Sequence, residues 1–332
     1  MQAPQTPVAH RLCVAPMMDW TDRHCRFFLR QVAPSALLYT EMITTGAILH
    51  GDLPRLLDFD SCEHPVALQI GGSEPADLAK AARIGAQWGY DEINLNCGCP
   101  SERVQKGAFG ACLMREPRLV ADGIKAMQDA VTVPVTVKHR IGVDDEDHYG
   151  FVRDFVGTLF EAGCRVFIVH ARSAILSGLS PKENREVPPL RPEVVRQLKH
   201  DFPQAIVVAN GGIVSTAQAV ELLTAHAGLP AVDGVMLGRA AYHDPWVLHD
   251  IEEALALQAS SARPRQRADV LPALQHYFDA QCARGVVARH MTRHWHGLFH
   301  GQPGARAWRR ESCEGRLGPM ALYRQLTMDR AA

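Results

Sequence analysis

The sequence predicts an α/β fold: a TIM (β/α)8 barrel followed by a C-terminal helical domain. Eight short apolar segments recur along the chain, and stretches with helical periodicity separate most of them. Such alternation predicts parallel strand pairing, because a crossover helix joins parallel neighbours. The predicted strands cover residues 12–15, 36–40, 66–70, 92–96, 134–138, 165–169, 206–209 and 233–237.

The segments between the strands predict the outer helices of the barrel. Helical periodicity runs through residues 75–88, 117–130, 148–162 and 215–226. The alternative is an open, doubly wound sheet. It is disfavoured because no Gly-x-Gly-x-x-Gly motif follows the first strand.

The composition is that of a folded protein. The chain has 332 residues, of which 47% are hydrophobic and 21% charged, which excludes a disordered protein. No apolar run approaches the roughly 20 residues that span a bilayer, and residues 1–12 lack the pattern of a secretion signal. We therefore expect a cytoplasmic monomer without a membrane partner. The nine cysteines are an odd number and scattered, so we expect reduced thiols.

The charge is divided unevenly along the chain. Residues 261–332 hold twelve Arg, no Lys and five acidic residues, which gives this segment a net charge of +7. Because the whole chain has a net charge of −1, the remaining residues carry −8. We therefore predict a barrel domain over residues 1–255 and an Arg-rich helical domain over residues 262–332, joined by the polar, Pro-containing segment 260–267. Arginine forks match phosphate, so the second domain predicts binding to a nucleic acid. The alternative is a solvated helical face.

Polar residues and glycines stand where the predicted strands end. Active sites of TIM barrels form at the C-terminal ends of the strands. Each residue alone has an ordinary explanation, such as a surface lysine or a turn glycine, but their joint placement predicts one site. These residues are Pro16, Met17, Met18, Gln69, Asn96, Lys138, His170, Asn210, Gly211, Gly212, Gly238 and Arg239.

This set suits a flavin mononucleotide (FMN). Glycine turns after the seventh and eighth strands can bring backbone N–H groups against a phosphate, with Arg239 adding a charged hydrogen bond. Lys138 stands where a cation could stabilise a reduced flavin ring, and Gln69 can both donate to and accept from the ring edge. The same glycines would also serve a sugar-phosphate substrate without any flavin.

Long strings of the sequence resemble a known family. The strings are NLNCGCPSERVQKGAFGACLM (94–114), APMMDWTDRHCR (15–26), VKHRIG (137–142), HARSAILSGLSPKENREVPPL (170–190) and GQPGARAWRR (301–310). Over residues 10–324 the chain resembles the tRNA-dihydrouridine synthases, specifically their A subgroup. The resemblance implies reduction of the C5–C6 double bond of uridine in tRNA, with FMN as cofactor and NADPH as reductant. In this subgroup the targets are the D-loop uridines U20 and U20a.

The resemblance also implies residue roles. Cys99 is the expected general acid that protonates uridine C5, and Cys97 is its neighbour. The expected flavin contacts are the strand-end residues given above except Asn96. Asn96 is expected beside the target base. The other expected tRNA contacts are Lys182, Asn184, Arg185 and Glu186, which could alternatively order their loop, and Arg306, Arg309 and Arg310.

Two positions depart from the family pattern. Ser173 and Ile175 stand where relatives commonly carry Lys and Trp, which puts one phosphate contact and one packing surface in doubt. Trp308, between the arginines, could contact RNA or belong to the core.

Metal binding is the weaker interpretation of two motifs. Cys97-Gly98-Cys99 lacks the usual two-residue ligand spacing. His290, His294, His296 and His300 include two pairs four residues apart, but Arg289 and Arg293 would repel a cation. We therefore expect no metal.

Two rivals to the main interpretation are a flavin barrel that reduces a free small molecule and an RNA-binding protein with a vestigial barrel.

Overall fold

The computed structural model describes residues 9–257 and 264–331. This description leaves out residues 1–8, residues 258–263 and Ala332. Residues 1–8 belong to the opening segment that lacks a secretion signal pattern, and residues 260–263 belong to the predicted linker, so these parts of both predictions lie outside the described residues. The division into two domains stays a prediction.

The predicted barrel is confirmed. The strands are β1 (Leu12–Val14), β2 (Leu38–Tyr39), β3 (Ile43–Thr44), β4 (Val66–Gly71), β5 (Glu92–Cys97), β6 (Val135–Arg140), β7 (Val166–His170), β8 (Ile206–Asn210) and β9 (Gly234–Leu237). They pair in parallel in the order β1-β9-β8-β7-β6-β5-β4-β2. A bridge from Leu37 to Cys13 joins the two ends of this order, with the Val14 N–H donating to the Leu37 carbonyl at 2.9 Å.

Two strands differ from their predicted ranges by more than one residue at an end, and a further strand was not predicted. β2 is shorter because the Thr40 hydroxyl, rather than the main chain, accepts the Gln69 N–H. β3 was not predicted and extends the pairing of β4. β6 is longer than its apolar segment, because Lys138, His139 and Arg140 continue the ladder between β5 and β7.

Helices surround the barrel and form its C-terminal extension. They are α1 (Arg23–Val32), α2 (Thr45–His50), α3 (Leu53–Leu57), α4 (Pro75–Trp88), α5 (Glu102–Lys106), α6 (Pro117–Ala130), α7 (Tyr149–Glu161), α8 (Pro192–Asp201), α9 (Thr216–Leu222), α10 (Arg239–His243), α11 (Trp246–Ala254), α12 (Leu271–Ala283), α13 (Ala288–Thr292), α14 (Ala305–Glu314) and α15 (Pro319–Ala331). Helices α4 and α6 match the predicted ranges, and both begin with proline at the position where the missing N–H costs least. Short 3-10 turns cover Ser61–Glu63, Gly110–Arg115, Glu183–Arg185, Arg267–Val270 and Trp295–Gly297. The predicted linker therefore ends one residue early, since Arg267 already begins a turn.

The interior of the barrel is divided between apolar and polar side chains. A small cluster fills the inside of β1, β2, β7, β8 and β9, and includes Cys13, Tyr39, Ile168, Val208 and Met236. Ala67 of β4 also belongs to this cluster, but the other buried inward side chains of β4, β5 and β6 are mainly polar, among them Gln69, Asn94 and Thr136. A second and larger cluster packs the outer faces of the strands against the helices.

The C-terminal helices pack on the start of α1. Tyr277 of α12 stacks on Phe27 at 3.8 Å between ring centroids and contacts His24 with its hydroxyl at 2.8 Å. Asp22, which caps α1, pairs with Arg293 at 2.6 Å and with His294 at 3.0 Å. Burial alone would raise the pKa of Asp22, but the hydrogen bond and charge of His294 hold that pKa well below its ordinary value. This ion-pair cluster attaches the helical region to the side of the barrel mouth.

All nine cysteines are unpaired. None of the helices in the described residues has the length and apolar character that a membrane crossing requires.

Candidate active site

A cavity of about 520 Å³ opens at the C-terminal ends of the strands. Its volume lies within the roughly 300–1,000 Å³ typical of small-molecule sites. The eleven residues predicted to contact a cofactor all line it, as do Cys99, Asn96 and Arg185. The strand-end residues therefore line one cavity, and their binding roles stay predictions.

The glycine turn after β8 forms one wall of the cavity. Gly211 and Gly212 have φ angles of +106° and +71°, in the left-handed region that favours glycine. A Cβ on Gly211 would lie 2.7 Å from the His170 ring, and one on Gly212 would lie 2.4 Å from Leu190. Side chains here would both strain the turn and displace its neighbours. The turn therefore leaves its backbone facing the cavity.

The cavity is cationic. Lys138, Arg140, Arg185 and Arg239 line it, and its described lining contains no Asp or Glu. Burial, reinforced by the charge of Arg140, lowers the pKa of Lys138 to about 7. Burial, reinforced by the charges of Arg140 and Lys138, holds the pKa of His170 well below its ordinary value, so its ring is neutral at pH 7. An anionic ligand would relieve this repulsion.

Cys99 and Cys97 face different surroundings. Cys97 is the last residue of β5, is fully buried in the outer core, and its pKa is raised by that burial. Cys99 lies two residues beyond, lines the cavity, and has its Sγ 3.5 Å from the Ser101 hydroxyl. Of these two thiols, only Cys99 can meet a substrate in the cavity.

The amide of Asn96 shapes the loop that carries Cys99. Its Oδ1 accepts the backbone N–H groups of Gly98 and Cys99, both at 3.0 Å. Its Nδ2 donates to Gln69 Oε1 at 2.8 Å. Asn96 therefore links the cavity floor to the cysteine loop.

Arg140 is a cavity residue that the sequence analysis missed. Its guanidinium is buried and donates to the carbonyls of Gly98 at 3.0 Å and of Ser173 and Asn184 at 2.9 Å each. Burial lowers its pKa to about 10. The spacing in the strand could have identified it, since Arg140 stands two residues after Lys138 and so points to the same face. Trp20 and Met42 also line the cavity and carry no comparable sequence signal.

The loop after β7 places its four predicted tRNA contacts differently. Lys182 and Arg185 are exposed, and Arg185 also reaches the cavity. Asn184 is fully buried, and its amide bonds the backbone of Ile175 at 2.7 and 2.9 Å. This placement favours the alternative role for Asn184, which is to order the loop. Glu186 pairs with Arg239 at 2.6 Å. Arg239 is the residue predicted to bind the cofactor phosphate, so it already has an anionic partner.

The two departures from the family pattern lie in this loop. Ser173 is buried, and its hydroxyl bonds Asp147, which also pairs with Arg191. The backbone N–H of Ile175 donates to Asn184. The Ser173 side chain therefore links this loop to the loop after β6, and the contact at position 175 comes from the backbone.

Helix α14 presents three predicted tRNA contacts to solvent. Arg306, Arg309 and Arg310 are exposed. Trp308 is a core residue, with its ring against Phe299 and its Nε1 donating to the Trp295 carbonyl at 2.7 Å. Burial lowers the pKa of His243, and the charges of Arg239 at the cavity and Arg309 of α14 lower it further. The exposed arginines of α14 form a basic surface.

The C-terminal histidines contact separate partners. His294 pairs with Asp22, His296 contacts the Arg293 carbonyl at 2.8 Å, and His300 lies 3.3 Å from Asp244. Within residues 9–257 and 264–331, no group of three or more His, Cys, Asp or Glu is placed to hold a metal ion.

Comparisons with known proteins show the family of this chain. The family model described as "Dihydrouridine synthase (Dus)" matches residues 13–318. A tRNA-dihydrouridine(20/20a) synthase of Xanthomonas campestris is 60% identical over 312 residues, covering 94% of this chain and 90% of the relative. Proteins of the same name from Pseudomonas aeruginosa and Vibrio parahaemolyticus are 57% identical, covering 91% and 89% of the two chains, and 52% identical, covering 92% and 91%.

Proposed function

Because the chain belongs to the dihydrouridine synthase family, we propose that it reduces the C5–C6 double bond of uridines 20 and 20a in tRNA. Its similarity to relatives named tRNA-dihydrouridine(20/20a) synthases, over nine-tenths of both chains, supports this substrate. The observation that carries the proposal is the cavity itself, in which the thiol of Cys99 shares one space with Lys138, Gln69 and the glycine turn.

The cavity has the donor set that FMN requires. The turn at Gly211 and Gly212, together with Gly238 and Arg239, would hold the phosphate with backbone N–H groups and one guanidinium. Lys138 lacks an acidic neighbour in the cavity lining, and with Gln69 it would bind the polar edge of the ring. When bound, FMN would supply the hydride that uridine C6 receives, and NADPH would supply the electrons to FMN.

Cys99 is the proposed general acid. Its Sγ–H would give a proton to uridine C5, which balances the hydride gained at C6 and leaves a thiolate. Lys138 and Arg140 line the same cavity as Cys99, so a charge on either would stabilise this thiolate. Solvent at the cavity mouth would then return a proton to Sγ.

The basic surface is the proposed tRNA site. A uridine in the folded D-loop must leave its contacts to reach the cavity, so the tRNA backbone needs support outside it. Arg306, Arg309 and Arg310 are exposed to meet phosphates. Since one cavity serves both substrates, we propose that NADPH departs before the uridine enters.

An anaerobic spectrum tests the proposal. Purified protein should carry a flavin that NADPH bleaches and unmodified tRNA reoxidises, with dihydrouridine mapped to positions 20 and 20a. Cys99→Ala should abolish the modification and keep the flavin. Cys97→Ala is the matched control, since it removes a neighbouring thiol outside the cavity and should keep the activity.

Two results would contradict the proposal. Reoxidation by free uridine or an enone, with none by tRNA, would indicate a reductase of small molecules. A colourless protein that FMN does not reconstitute would indicate an RNA-binding protein instead.

A further inference from the structure

A continuous chain of hydrogen bonds crosses the interior of the barrel beneath the cavity. We propose that this chain, which runs from Glu92 through Thr136, Asn94 and Gln69 to Asn96, positions Cys99 and fixes which way the Gln69 amide faces. Glu92, Thr136 and Asn94 do not line the cavity, so they are positioning residues. The inference rests on the proposed function, because it concerns the residues assigned to that reaction.

The chain begins at a buried carboxylate. Glu92, the first residue of β5, is fully buried at the opposite end of the strand from Cys99. Its Oε1 accepts from the Tyr39 hydroxyl at 2.8 Å and the Thr136 hydroxyl at 2.6 Å, and its Oε2 lies 2.6 Å from His10 Nε2. Burial raises the pKa of Tyr39 well above its ordinary value, so its hydroxyl keeps its proton and donates. Glu92 therefore has a partner on each oxygen.

Three amides continue the chain toward the cavity. Asn94 Nδ2 donates to the Thr136 hydroxyl oxygen at 2.8 Å, and Gln69 Nε2 donates to Asn94 Oδ1 at 2.7 Å. Asn96 Nδ2 donates to Gln69 Oε1 at 2.8 Å. Asn96 Oδ1 then accepts the backbone N–H groups of Gly98 and Cys99. Every link lies within ordinary hydrogen-bond distance.

Both ends of the chain require the same direction. A carboxylate only accepts, so the Thr136 hydroxyl donates to Glu92 and its oxygen is left to accept from Asn94. Backbone N–H groups only donate, so the oxygen of Asn96 must face the Cys99 loop. The amides between them then have one arrangement that satisfies every link. In that arrangement Gln69 and Asn96 each retain one N–H that is free to face the cavity.

Filling the barrel does not require this chain. The inward positions of β1, β2, β7, β8 and β9 hold mainly apolar side chains, which pack the same interior without desolvating polar groups. The side chains that form the chain below the cavity come from β4, β5 and β6, which lie beneath the Cys99 loop. A buried polar network of this kind favours one arrangement over others when all its members are satisfied.

The test compares substitutions at one buried hydroxyl. Thr136→Val keeps the side-chain shape and removes the link between Glu92 and Asn94. Thr136→Ser keeps the hydroxyl. Thr292→Val is the matched control, because Thr292 is equally buried and its hydroxyl has no hydrogen-bond partner.

Two readouts are taken on the flavin-loaded proteins. The first is hydrogen–deuterium exchange of the peptide that carries the Gly98 and Cys99 amides. The second is the rate of flavin reoxidation by tRNA in a single turnover, measured beside the rate of flavin reduction by NADPH.

We expect Thr136→Val to speed exchange of the two amides about tenfold and to slow reoxidation by tRNA about tenfold or more, because the loop loses its fixed position. Reduction by NADPH should change less than about threefold, and Thr136→Ser and Thr292→Val should stay within about threefold of wild type in both readouts.

The inference would be overturned if Thr136→Val matched wild type both in exchange of the two amides and in the rate of reoxidation by tRNA. It would also be overturned if Thr136→Val and Thr292→Val lost the same amount of protection and the same reoxidation rate. If Thr136→Val does not fold, exchange in the wild-type protein still tests the inference. Gly98 and Cys99 amides that exchange as fast as those of an open loop would overturn it. A wild-type protein that tRNA does not reoxidise would contradict the proposed function, and the exchange comparison would still test the chain.

Discussion

The charge state of Lys138 gives a pH dependence for FMN binding. Burial and Arg140 lower the pKa of Lys138 to about 7, so in the free cavity the lysine is mostly protonated at pH 6 and mostly neutral at pH 9. Bound FMN would accept a hydrogen bond from the charged form and so return the pKa toward its ordinary value of about 10.4.

Binding should therefore take up a proton as the pH rises above 7. At pH 6 the lysine already carries its proton and uptake is roughly 0.1, whereas at pH 8 about 0.9 of a proton must be acquired. Because binding then depends on the proton concentration, FMN affinity should fall as pH rises. The expected loss between pH 6 and pH 9 is about 100-fold, close to tenfold per unit above pH 7.

Calorimetry of FMN binding to the deflavinated protein, in buffers of different ionisation enthalpy, measures the proton uptake. Lys138→Met should bind FMN with little uptake from this site and with a flatter affinity between pH 6 and pH 9. Lys80→Met is the matched control, because Lys80 is an exposed lysine on α4, and it should behave as wild type. Equal proton uptake in Lys138→Met and wild type would refute the reasoning.

Three further predictions concern the turn, the loop and the basic surface. Gly212→Ala should lower the free energy of unfolding by about 1–2 kcal/mol, because the φ of +71° at this position disfavours a Cβ. Urea unfolding measures this loss, with Gly46→Ala as the control, since no atom lies within 4 Å of a Cβ added at Gly46. Equal losses in the two variants would contradict the prediction. Arg140→Met should cost about 3–5 kcal/mol, since three carbonyls lose a charged donor, and an unchanged urea midpoint would show that the guanidinium does not hold the loops together. Replacing Arg306, Arg309 and Arg310 together with Gln should weaken tRNA binding and reduce the slope of log Kd against log salt by up to about 2–3, with flavin reduction by NADPH unchanged. A slope equal to that of wild type would place the tRNA elsewhere.

Much of the cavity follows from the sequence because parallel strands gather their carboxyl ends at one rim. Apolar strands fix where each end falls, so residues as distant as Pro16 and Arg239 could be assigned to one site before any contact was known. The same reasoning missed Arg140, because the predicted β6 ended with its apolar segment while the real strand continues through polar residues that face the cavity. It also placed Asn184 on a binding surface, where the structure buries it inside a loop.

The sequence by itself determined the barrel, the strand-end residues and, through its resemblance to known proteins, the family, because each depends on local periodicity or on a motif of adjacent residues. The structure decided that Cys99, and not Cys97, faces the cavity. The tertiary structure decided which side chains satisfy one another. The pairing of Arg239 with Glu186, the core position of Trp308 and the chain from Glu92 to Asn96 all join residues from separate elements. Such contacts depend on strand register and loop position, and a hydrogen bond forms only when two distant segments come within about 3 Å of each other.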